Sequence, residues 1–206
     1  MTKTLANTIS ILMHPLLMPT FMFMILIRFL PDIFNPLSMK AMFYVLLLVF
    51  LTTFVIPALS LLGLWTSSVI SNLKLENKSE RRLPFIFIAV FYTITTFLFI
   101  DKLDVNRVLI VIMISVSVQI VLLAVITFFW KISIHASGTG GMTGFLLALI
   151  YLFPETPLIY PFVGLILVSG LVLSSRLYLN VHSQTEVYIG YVLGFVLSFT
   201  SLYYLT

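Results

Sequence analysis

The chain has 206 residues, of which 61% are hydrophobic and only 9% charged, and its mean hydropathy is +1.17. A soluble domain carries about a quarter charged residues, so a water-soluble globular protein is excluded. The net charge of +4 comes from basic residues scattered among short connectors, which argues against a nucleic-acid surface and fits anionic head groups or an anionic substrate. There is no cysteine, so disulfides and thiolate metal sites are excluded as well.

Apolar runs of about 20 residues can each cross a bilayer as a helix, and no alternating barrel pattern is present. The expectation is one all-α domain over residues 1–206, a transmembrane bundle of six to seven spans. The first span is expected over residues 5–30. Its apolar run is too long for a signal-peptide core and lacks a small-x-small cleavage site, so it reads as retained. It contains HPLLMP, and His14 reads as a partly buried histidine at a proline kink rather than a ligand, since no carboxylate accompanies it.

After a turn with Pro31, Asp32 and Pro36, a second span covers 39–65. The most charged segment, 66–83, follows, and its plain reading is a solvated basic loop. A third span starts at Pro84, a residue suited to a helix start, and ends near Ile100. DKLDVNR then leads to a fourth, over 108–130.

Residues 131–144, KISIHASGTGGMTG, interrupt the apolar pattern, and a short fifth span runs from there to about Phe153. The sixth covers 158–173 and the seventh 187–204, with SRLYLNVHSQTE between them. The polar segments 66–83, 131–144 and 174–186 lie two spans apart, so by parity they emerge on one membrane face.

That face collects the residue types of a phosphate site. Lys74 and Arg81 have six residues between them, about two helical turns, so both can point the same way. Ser137 and Gly138 sit in a glycine-rich stretch that opens a span, where small side chains and helix-start amides can cradle an anion. Arg176 offers planar donors that grip two oxygens at once. His182 and Glu186 are four apart, and a carboxylate bonded to one imidazole nitrogen fixes which tautomer the other nitrogen presents, as a nucleophile requires.

The three segments resemble, in order and spacing, the signatures of the type 2 phosphatidic acid phosphatase superfamily, which includes lipid phosphatases and vanadium haloperoxidases; the resemblance covers roughly residues 66–200. The third signature, Ser-Arg, five residues, His, three residues, Asp, is matched by Ser175, Arg176 and His182, with Glu186 in place of the Asp. The first, Lys, six residues, Arg-Pro, is matched by Lys74 and Arg81, but Arg82 and Leu83 intervene before Pro84. The second, Pro-Ser-Gly-His, is matched by Ala136, Ser137, Gly138 and Thr139, so its histidine is missing.

The resemblance implies a membrane-embedded phosphatase. His182 would attack phosphorus and form a phosphohistidine, and Glu186 would orient it. Lys74, Arg81, Arg176, Ser137 and the Gly138 amide would hold the phosphate. Because Thr139 cannot supply the proton that the missing histidine gives, His135, one helical turn away, is the candidate acid. The implied partner is a phosphorylated membrane lipid or lipid carrier, such as phosphatidic acid, phosphatidylglycerophosphate, undecaprenyl diphosphate or lipid A. No metal or cofactor is needed for this route.

The implied setting is a bacterial inner membrane with the site facing the periplasm, although Lys and Arg counts alone would put the charged connectors in the cytoplasm. A catalytically weak or inactive lipid-phosphate-binding or scaffolding protein of the same fold is the alternative. A polyprenyl transferase using Asp101 and Asp104 for Mg²⁺ would need a second acidic cluster, and the chain has only seven acidic residues.

Overall fold

A computed structural model describes residues 1–72, 80 and 82–206. Helix α1 runs Lys3–Leu12, capped at its start by the Thr2 hydroxyl, which accepts from the Leu5 amide. It stops because Pro15 forces the preceding residue out of helical geometry; His14 is extended at φ −66° and ψ 135°. A single 3₁₀ turn, Pro15–Leu17, re-aims the chain into α2, Met18–Phe29. The first span, expected over 5–30 with a proline kink, is thus two helices joined by that turn.

Helix α3, Met39–Phe50, passes through a π-helical turn, Leu51–Val55, into α4, Ile56–Thr66. Pro57 has no N–H to give the turn before it, and local widening of this kind is how a long helix absorbs such a residue. The Thr53 hydroxyl in the wide turn donates to the Val49 carbonyl at 2.7 Å.

Helices α5 (Arg82–Asp101), α6 (Arg107–Phe129), α7 (Ile134–Leu152), α8 (Ile159–Tyr178) and α9 (Gln184–Leu205) follow. Asn106 caps α6, Ser133 caps α7 and Ser183 caps α9. Two sequence expectations change here. The fifth span does not wait for the end of the glycine stretch, because the Ser133 hydroxyl starts α7 at Ile134. The sixth runs on to Tyr178 and so carries Ser175 and Arg176 inside a helix.

Among the described residues, six helical segments are long and apolar enough to cross a membrane: 3–29, 39–66, 82–101, 107–129, 159–178 and 184–205. Their outward faces are apolar, with Phe43, Phe97 and Leu167 each more than half exposed. In lipid, such faces are at home and the backbone is satisfied within each helix. The protein is an all-α integral membrane bundle.

Helix α7 differs from the rest, being buried along nearly its whole length. It lies parallel to α9 at very close range, because glycines meet backbone on both sides. A Cβ on Gly140 or Gly144 would strike the Tyr191 or Phe195 carbonyl, and one on Gly194 would strike the Ser137 carbonyl. Small residues allow this approach between helices in a membrane. Gln119 of α6 locks the pair from the side, donating from Nε2 to the Ser137 carbonyl and hydroxyl, both at 2.8 Å, while its Oε1 accepts from Ser198 at 3.4 Å.

Contacts also fix which ends meet. The Ser133 amide donates to the Glu186 carbonyl at 3.1 Å, and Ser10 touches both α7 and α8. The Arg82 guanidinium lies over the Phe128 ring at 5.6 Å. The finishes of α1, α6 and α8 therefore share one end of the bundle with the starts of α5, α7 and α9. Helix α5, 20 residues and about 30 Å long, carries Asp101 to the far end, where it pairs with Lys102 at 2.7 Å. The DKLD aspartates have no part in a site at the near end.

Candidate functional site

The near end holds a cluster of polar side chains built by four helices. His182 and Ser183 form the turn into α9. Ser183 is the N-cap, its hydroxyl accepting from the Glu186 amide at 3.3 Å, and Glu186 answers by accepting from the Ser183 amide at 3.2 Å. This capping box satisfies two of the helix-start donors, and it also decides where the carboxylate sits.

The same Oε2 lies 2.9 Å from His182 Nδ1. A carboxylate can only accept there, so Nδ1 carries the proton and the Nε2 lone pair is presented. The contact comes from the capping box rather than from two residues on one helix, since His182 precedes α9. Side-chain exposures of 9% for His182 and 15% for Glu186 keep the bond out of bulk water, where it is stronger.

Burial pushes the His182 ring down to about 4, with Arg176 and Lys131 adding to the effect against the opposing pull of Glu186. The neutral imidazole is therefore the resting form at neutral pH.

Arg176, in the last turn of α8, donates from Nη1 to the Ser10 hydroxyl at 3.2 Å. Its Nε is buried with no hydrogen-bond partner. A buried guanidinium N–H left without an acceptor is costly, and an anion would supply one. The Ser10 hydroxyl also lies 3.3 Å from that of Ser175.

His135, in the first turn of α7, points its Nε2 at the Ser10 carbonyl, 3.1 Å away. Its ring meets that of His14 edge-on, with centroids 5.5 Å apart. His14 in turn accepts from the Leu16 amide through Nδ1 at 3.3 Å, capping the 3₁₀ turn. It is the partly buried histidine at a proline break that its sequence context indicates, and it also walls one side of the cluster.

The structure thus gathers Arg176, His182, Glu186 and His135 at one end of the bundle. It places Ser137 and Gly138 differently from the amide cradle expected of them. The Ser137 amide bonds to the Ser133 carbonyl, its hydroxyl accepts from Gln119, and the residue is fully buried toward α6 and α9. Gly138 faces Pro15 and Met18 across the 3₁₀ turn, within an unbroken helix. The correction has one cause: α7 begins four residues before Gly138, so amides expected to be free are bonded within the helix. Thr139 turns its hydroxyl back onto the His135 and Ala136 carbonyls. Lys74 and Arg81 lie outside the described residues, while their neighbour Arg82 is at the near end.

Two residues that the motifs do not contain, Ser10 and Lys131, complete the surroundings. The signal for Ser10 is in the sequence: it lies one helical turn before a His-Pro pair, where a carbonyl must be left over. Among the described residues, no three His, Asp or Glu side chains converge in the manner of metal ligands. No family model, curated protein or solved structure matches the chain.

Proposed function

We propose that the protein is a membrane-embedded phosphohydrolase that removes phosphate from a phosphorylated lipid through a phosphohistidine at His182. The observation that carries this reading is the 2.9 Å bond from His182 Nδ1 to Glu186, which leaves Nε2 unprotonated beside a half-buried arginine with an unsatisfied Nε. That pairing suits a nucleophile and the charge it attacks. The setting that accompanies the resemblance is a bacterial inner membrane with the site facing the periplasm.

In this chemistry the Nε2 lone pair attacks phosphorus, and the bond from phosphorus to the lipid oxygen breaks. The departing oxygen takes a proton from His135 in its cationic form, which leaves that ring neutral with a free lone pair. Water then attacks the phosphohistidine and loses a proton to His135, the phosphorus–nitrogen bond breaks, and inorganic phosphate and neutral His182 are regenerated. Arg176 compensates the charge that builds on the equatorial oxygens in both steps.

A second reading, a lipid-phosphate-binding protein without turnover, is favoured by one specific observation. Ser137 and Thr139 are committed to Gln119 and to helix carbonyls, so the second segment offers the anion less than its spacing suggests. Phosphate release from phosphatidic acid and polyprenyl diphosphates in detergent separates the two. The phosphatase reading expects release by wild type, its loss in His182→Ala, and a fall of about 10²–10⁴-fold in His135→Ala. Equal release by wild type and His182→Ala would refute it; binding without release would establish the second reading.

A further inference from the structure

Ser10 lies outside all three polar segments, yet it contacts two of the side chains in the cluster. The reason begins with Pro15. A continued helix would give the Ser10 carbonyl the His14 amide as donor, but Pro15 holds His14 extended and ends α1 at Leu12. The Ser10 carbonyl is therefore one of the terminal acceptors that a helix cannot satisfy itself. His135 Nε2 takes that place at 3.1 Å. Because a carbonyl only accepts, the proton of His135 must sit on Nε2, and its Nδ1 is left with a lone pair. On the same residue, the Ser10 hydroxyl accepts from Arg176 Nη1 at 3.2 Å and sits against the Ser175 hydroxyl.

We infer that Ser10 is a positioning residue of this site: its carbonyl sets the tautomer of His135 and its hydroxyl aims the Arg176 guanidinium, so that α1 is a working part of the site. The inference rests on the reading of the cluster as a phosphate site. It adds to that reading a segment that no motif contains. The Nδ1 lone pair of His135 suits the proton-accepting half of its cycle, in which water is deprotonated. The ring of His14 packs edge-on against this imidazole, centroids 5.5 Å apart.

The test uses the full chain in detergent micelles, labelled with ¹⁵N at its three histidines. Resonances are assigned with His14→Gln and His182→Gln. At neutral pH, His135 should show a protonated Nε2 and an unprotonated Nδ1. In Pro15→Ala the His14 amide can reclaim the Ser10 carbonyl, and the two His135 nitrogens should move toward averaged shifts. Ser10→Ala should weaken binding of phosphatidic acid in mixed micelles about tenfold, with the His135 pattern retained.

A protonated Nδ1 in wild type, a Pro15→Ala spectrum identical to wild type, or unchanged binding by Ser10→Ala would each overturn the inference. None of these readouts needs turnover. A failure of the phosphatase reading, seen as release unaffected by His182→Ala, is thereby distinguishable from a failure of this one.

Discussion

Replacing Glu186 with Gln separates its two jobs. Glutamine still completes a capping box, so the start of α9 should keep its stability to within about 0.5 kcal/mol. What is lost is the charge on the acceptor that faces His182 Nδ1. Hydrogen bonds to charged groups contribute about 1.5–3 kcal/mol and neutral ones about 0.5–1.5 kcal/mol, so the difference is about 1–1.5 kcal/mol. The pair is little exposed, at 9% and 15%, and solvent screening removes little of that.

If the bond strengthens as the ring gains positive character during attack, the loss appears in the barrier, and about 1.4 kcal/mol is tenfold in rate. Glu186→Gln should therefore release phosphate about tenfold more slowly, with a nearly unchanged melting temperature in detergent. Ser183→Ala is the counterpart. It removes only the hydroxyl that accepts from the Glu186 amide, and should cost about 1 kcal/mol of stability with the rate within threefold of wild type. A Glu186→Gln protein that turns over at the wild-type rate, beside an inactive His182→Ala, would show that the carboxylate caps a helix and orients nothing.

Two further outcomes can be measured on the purified protein. The folded His182 ring titrates at about 4, below the ordinary 6.5, so between those values the unfolded chain binds a proton that the folded chain refuses. Stability present above about 6.5 is then lost as the pH falls toward 4. Melting temperatures measured across that window should fall with acidification, and His182→Gln should flatten the slope; an equal slope in both would contradict the assignment. Gly194→Ala drives a methyl group into the Ser137 carbonyl and should cost about 1–3 kcal/mol, whereas Gly164→Ala, with nothing within 4 Å, should stay within about 0.5 kcal/mol of wild type by thermal melting.

The helical membrane class and most span boundaries were legible because apolar run length carries them directly. The His182–Glu186 contact was legible too, although for a different local reason, since SQTE is itself a capping-box sequence and the box positions the carboxylate. The glycine stretch, by contrast, does not interrupt the helix at its start. Ser133 caps a helix as readily as a glycine breaks one, and composition alone does not say which effect wins. The role of Ser137 was not legible, because it depends on Gln119, a residue 18 positions away on another helix. The His-Pro pair marks the Ser10 carbonyl as left over, but only the docking of α1 on α7 and α8 gives Ser10 its partners.

The burial of α7 has a consequence for how this chain is made. Ser137, Thr139 and Thr143 are essentially inaccessible, and Gly140 and Gly144 lay bare backbone against α9. During synthesis, residues 134–152 reach the insertion machinery before α9 has been translated, and lipid is a poor substitute for the missing partner. Helix α7 is therefore expected to be poorly held by lipid until the final helix arrives. A nascent chain stopped after α8 should be a substrate for membrane quality control, not a stable six-helix remnant.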